Sequence, residues 1–201
     1  MKRLLQKFRC SSGISADASL RYDSPISVAE NFGGLVLEGG LFRIYTRTES
    51  QAVGDIVAQS DRALASHVEI VGGDWLGRFW AWDTRALDDG GGVTFLDPGE
   101  GEFEVPGDLR DLFDKVLPDM GSEVLELDLY NEWRVHTGTK LDWMSCASMI
   151  VPFELGGELV VSNLELTDLS VHWGLASQIS QQLRQVDPGA SVRFSIGEAD
   201  S

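Results

Sequence analysis

The sequence predicts an α+β protein, a mostly antiparallel sheet with flanking helices in a single compact domain. Three observations carry this. Short β-rich runs alternate with Gly- and Asp-rich turns through the middle of the chain, segments with helical apolar spacing lie on both sides of them, and no internal repeat divides the 201 residues. At 43% hydrophobic and 24% charged residues the composition can build a core. The expected organisation is a basic helix and linker over 1–27, an α+β domain over 28–186 and a tail over 187–201.

Met1 to Arg9 reads as a short basic helix, followed by a Ser-, Gly- and Asp-rich run from Ser11 to Ser24. Val28, Phe32, Leu35 and Leu37 then lead to a Gly39–Gly40 turn and a strand from Leu41 to Arg47. Thr48 with Gln51 matches a capping box, opening a helix that ends near Ala65. His67 to Val71, Leu76 to Asp83 and Val93 to Asp97 form an expected meander bounded by GGD, DDGGG and DPGEG turns. Pro106 marks a helix start, with Leu109, Leu112, Phe113, Val116 and Leu117 as its apolar stripe. A second helix is expected from Ser122 to about Val135. Ser148 to Leu155 and Leu159 to Leu166 read as strands joined at Gly156–Gly157, and Asp168 caps a final helix reaching Val186. VRFSI, residues 192–196, is one more short strand.

Charge is the most uneven property of the chain. The formal net charge is −16, and residues 83–132 contribute −12 of it, with fifteen acidic side chains against three basic ones. Affinity for phosphates comes from clustered Lys and Arg, so direct nucleic-acid binding is not expected. A basic partner protein is, because clustered charge of one sign steers association. The opposing reading is a solvated face that serves solubility alone.

The chemistry of catalysis finds little support. GxSxG and SxxK are absent, and Cys146 reads as an inert buried thiol. His67, His136 and His172 stand apart, without metal-ligand spacing, and Gly90 to Gly92 form a turn, not a phosphate loop. A carboxylate-dependent hydrolase is the weakest of three functional readings. No enzyme activity, cofactor or metal is expected. The aromatic residues Trp75, Phe79, Trp80 and Trp82 should split between two faces of a strand, mostly as core. Gln6, Lys7 and Arg9 interrupt any signal-peptide core, no window approaches the ~18 apolar residues of a membrane span, and the two cysteines lie outside any CxxC pair. A cytoplasmic location, with no membrane contact, is the expectation.

The order of four segments is more specific than any one of them: GGLFRIYT, GGDWLGRFWAWDTR, VTFLDPGEGEFEVPGDLRDLFDKVL and MIVPFELGGELVVSNLELTDLSVHWGLASQIS. Together they resemble the type VI secretion DNase-immunity family, in the C-terminal domain often preceded by a GAD-like domain. Pro152 to Gly157, Asn163 to Glu165, the helix with His172, and Gly73 to Asp83 carry the likeness, over roughly residues 28–185. The resemblance implies a cytoplasmic, non-enzymatic antidote that binds a cognate secreted nuclease toxin. The first 27 residues leave little room for a full GAD-like domain. An adaptor resembling the cell-wall-assembly regulator family is the alternative, with the acidic stretch as a solvated face. For the antidote, the expected docking surface holds Asp97, Glu100, Glu102, Glu104, Asp108 and Asp111, with Trp82 as anchor.

Overall fold

A computed structural model describes residues 1–14, 17–86 and 90–184. It is α+β, as predicted. Six antiparallel strands lie in sequence order: β1 (Val36–Leu37), β2 (Phe42–Ile44), β3 (Val68–Asp74), β4 (Phe79–Asp83), β5 (Gly92–Asp97) and β6 (Gly101–Val105). Helices cover both faces. On one face pack α1 (Lys2–Lys7), α2 (Pro25–Phe32), α5 (Leu109–Asp111), α6 (Leu117–Val124) and α7 (Leu127–Thr137). On the other lie α3 (Arg47–Ser60), α4 (Arg62–Ala65) and α8 (Leu169–Leu183). A separate hairpin joins β7 (Ser145–Met149) to β8 (Leu164–Asp168).

The strand alternation that the sequence shows in FWAWD is what builds two cores. Phe79 and Ala81 enter the cluster under α3 and α8, while Trp80 enters the cluster under the other helices. Trp80 continues a row of rings, edge-on to Phe42 at 5.4 Å between centroids and 4.6 Å from Phe95. On the opposite face Trp173 stacks on Phe79 at 4.8 Å and donates its indole N–H to the Gly77 carbonyl at 2.8 Å. Between β2 and β3 the chain needs glycine: a Cβ at Gly72 would sit 2.6 Å from the Arg43 carbonyl oxygen and 2.8 Å from the Phe42 ring. Next to it the β3–β4 register shifts by a bulge between Ile70 and Gly72.

The N-terminal stretch belongs to the core. Met1, Leu4 and Phe8 are fully buried in the larger cluster, and Phe8 lies on Gly121, where a Cβ would meet its ring at 3.1 Å. The next run ends in a capped helix: Ser24 and Ser27 form a capping box around Pro25, at the first helical position of α2.

Several boundaries depart from expectation. The helix expected from Pro106 opens at Leu109, with Asp108 as its cap, and the helix expected to reach Ala65 is two, α3 and α4, broken at Asp61. The box that opens α3 is Thr46 with Glu49, two residues before Thr48, because β2 already ends at Ile44. The run from Gly101 to Val105, to which the sequence assigns no element past the DPGEG turn, is a strand, β6. The helix expected from Ser122 to Val135 is two helices, broken at Glu126, whose φ of 52° is left-handed. Finally, the strands expected at 148–155 and 159–166 are in large part a loop; β7 and β8 pair at Ser145↔Asp168 to Met149↔Leu164, with two 3-10 turns between them.

Pro118 explains the irregular join between α5 and α6. Proline has no N–H to give to the Asp114 carbonyl one turn earlier, and residues 112–116 adopt a π turn there. Arg3 supplies the missing donor, its guanidinium reaching that carbonyl at 2.7 Å and Asp119 at 2.5 Å. Asp168 caps α8 as expected, accepting from the Ser170 N–H at 2.8 Å. No described helix is long and apolar enough to cross a membrane. The end of the expected last helix beyond 184, the strand at 192–196 and the tail lie outside the described residues.

Candidate functional site

The acidic residues singled out in the sequence gather around β6, which is an edge of the sheet. Pairing of Thr94 with Glu104 and Leu96 with Glu102 sets both glutamates on the face shared with Phe79 and Ala81. Asp97 ends β5 and accepts the Gly99 and Glu100 amides at 2.9 and 3.0 Å, which forms the turn and leaves Glu100 exposed at its tip. Asp108 and Asp111 lie past the far end of β6. Asp108 caps α5 through the Arg110 and Asp111 amides, and Asp111 pairs with Lys115 at 2.5 Å.

Trp82 is not beside this surface. The register aligns it with Val93 and Val105 on the opposite face, half-buried, with Gly91 against its indole. Phe103 is the exposed aromatic of the edge, 44% accessible and 6.2 Å from Phe95 at the end of the ring row.

Much of the acidic segment is neutralised within the molecule. Arg85 bridges Asp83 and Glu102, at 2.6 and 2.5 Å, and Asp119 is held by Arg3. Asp114 receives the Met1 amino group and the Tyr22 hydroxyl; burial opposes its charge, yet these two donors hold its carboxyl below the ordinary range. Glu100 and Glu104 have no ion-pair partner among the described residues.

A cleft opens on the other side of the β5–β6 turn. It is a cavity of about 280 Å³ between that turn, the α6–α7 junction, the 150–163 loop and α8. Arg78 lines it, pairs with the buried Asp74 at 2.6 Å and also donates to the Val124 carbonyl at 2.8 Å. Burial raises the Asp74 carboxyl, with Arg78 pulling the other way. For Arg78 burial works against the charge, but the Asp74 carboxylate outweighs it and raises the guanidinium. Ser148 and His172 meet on the wall, Oγ to Nδ1, at 2.9 Å. Burial lowers the His172 pKa to about 4, Asp97 opposing, so the ring is neutral at pH 7. No carboxylate hydrogen-bonds that ring among the described residues, so the third member of a hydrolytic triad is not assembled there. No group of three or more potential metal ligands occurs among the described residues. Burial also raises the thiol of Cys146 next to the cleft, which keeps it protonated.

The 150–163 loop is tied by one side chain. Asn163 accepts from the Val151 N–H and donates to the Val151 and Glu158 carbonyls, all at 2.9 Å. Three of the four segments quoted from the sequence contribute to the lining of the cleft: Arg78 from the second, Asp97 and Glu100 from the third, and Pro152, Phe153, Glu154 and His172 from the fourth. Sequence reading did not assemble this site. The available signal was the pair of glycines and the Asn inside otherwise apolar runs, which suit a tied loop better than two strands.

The class so defined is an α+β protein in which a six-stranded antiparallel meander lies between helices, with a small hairpin closing a cleft. No family model matches the chain, and no curated protein matches it. Among solved structures it is similar to Atu4351 from Agrobacterium tumefaciens, with a TM-score of 0.56 over 88% of each chain at 16% identity. That likeness is one of fold.

Proposed function

We propose that this chain is an immunity protein, which binds and silences a basic secreted nuclease inside the producing cell. The observation that carries the reading is the open β6 edge, where Glu100 and Glu104 are exposed without ion-pair partners among the described residues. Carboxylates on a sheet edge repel other acidic edges and nucleic acid alike, while they attract a surface of Lys and Arg. A nuclease needs such a surface to hold phosphates. The ordered sequence resemblance points the same way, and inhibition by docking requires no catalytic group.

Co-expression with the nuclease encoded beside the gene tests this. Survival is expected with the chain and death without it; equal killing in both cultures sinks the reading. Glu100→Lys with Glu104→Lys should slow association about 10-fold or more at low salt. A gene with no toxin neighbour would favour the adaptor reading.

A further inference from the structure

The acidic edge leaves unexplained a second surface. Five of the large apolar side chains that the molecule exposes, Ile150, Val151, Phe153, Leu155 and Val160, lie on the loop that closes the cleft. Phe153 is the one of these five that also lines the recess, so the exposed apolar run of the loop continues into it at that residue. The recess is lined by Leu76, Met149, Phe153, Leu159, Leu175 and Ile179. Its 280 Å³ falls just below the ~300–1,000 Å³ usual for cofactor and drug-sized ligands, and suits one or two side chains.

Charge says which side chains. Asp97, Glu100, Glu126 and Glu154 stand around the opening. The one cation lining it among the described residues is Arg78, already matched by Asp74, and His172 is neutral. The rim is thus acidic around an apolar floor. An acidic peptide or a phosphate would be repelled, and a purely apolar segment would leave the carboxylates unmatched. Glu126 keeps its place at the cost of a left-handed backbone, a position glycine would occupy more easily.

We propose that this cleft is the anchor site for the same partner, taking a segment that presents a large apolar side chain next to a lysine or arginine. The apolar side chain fills the recess and the cation lies among the four carboxylates, its methylene stem against Phe153. The partner's identity rests on the immunity reading; the chemistry of the segment does not. The β5–β6 turn joins the two surfaces, because Asp97 and Glu100 belong to the cleft rim while Glu102 and Glu104 continue along the edge.

Calorimetric titration of the full chain with the neighbouring nuclease, and with Ala176→Trp and Glu154→Lys variants, tests the site. Ala176 lines the recess, so a tryptophan there should fill it. The expected losses of affinity are about 30-fold or more for Ala176→Trp and about 5-fold or more for Glu154→Lys. Ala176→Phe replaces the first variant if thermal melting shows that it does not fold. Wild-type binding with unchanged affinity in the variants overturns the cleft and leaves the immunity reading intact. If the wild type fails to bind the nuclease, that reading falls, and amide NMR titration with the peptide Gly-Lys-Leu-Arg-Gly decides the cleft by itself. Shifts confined to 147–159 and 172–179, and absent with Gly-Glu-Leu-Glu-Gly, support it. Equal shifts with both peptides, or none, overturn it.

Discussion

At the scale of single residues, the Asp74–Arg78 pair makes stability sensitive to one change. The Asp74 side chain is fully buried and that of Arg78 is only 15% accessible. Removing the carboxylate strands a buried guanidinium, so Asp74→Ala should cost about 3–5 kcal/mol in urea unfolding at pH 7. His172 gives a pH signature with a definite sign. Its folded pKa, about 4, lies below the ordinary 6.5, so the unfolded chain binds the proton first as acid is added. Its contribution is complete above pH ~6.5 and declines as pH falls toward ~4, by on the order of 3 kcal/mol. His172→Gln should remove that decline, and the difference between the two unfolding profiles isolates it from the carboxylates. Glu126→Gly should raise stability by about 0.5 kcal/mol, by relieving the left-handed backbone.

Elements show which sequence signals were decisive. Thr46→Ala should cost about 1 kcal/mol through loss of the α3 cap, whereas Thr48→Ala should stay within about 0.5 kcal/mol. Thermal unfolding of the two variants separates the capping boxes that TRTESQ offers in overlapping register. Local pattern contained both and the end of β2 chose between them. The meander, the division of Phe79 and Trp80 between two faces, and the Asp168 cap were all legible, because each depends on a strict period or on neighbours in the chain. β6 was not, since Glu102-Phe103-Glu104 has no buried alternation to detect on an open edge. SMIVPFEL misled for the opposite reason: a continuous apolar run signals burial, and here the loop exposes it. The acidic residues of the candidate surface could be read from composition. The Ser148–His172 contact, 24 residues apart, and the approach of Glu126 to the Arg78 cleft could not, because only the tertiary fold brings them together.

For the molecule as a whole, the basic start of the chain and its acidic middle are partners. Arg3 and Met1 meet Asp119 and Asp114 across more than a hundred residues, and Leu4 is buried with them. Leu4→Ala should therefore cost about 2–5 kcal/mol in chemical unfolding, despite a neighbourhood that reads as a solvated basic helix. This also fixes an order of events during synthesis. Met1, Leu4 and Phe8 are synthesised about a hundred residues before the surface that covers them, from Leu109 to Leu125. At ~5–20 residues per second their apolar side chains wait on the order of 5–20 s for that cover. The opposite core waits about as long, because Trp173 on α8 is what covers Phe79. Until α8 emerges, the face of the sheet that carries Phe79 offers its apolar side chains to chaperones.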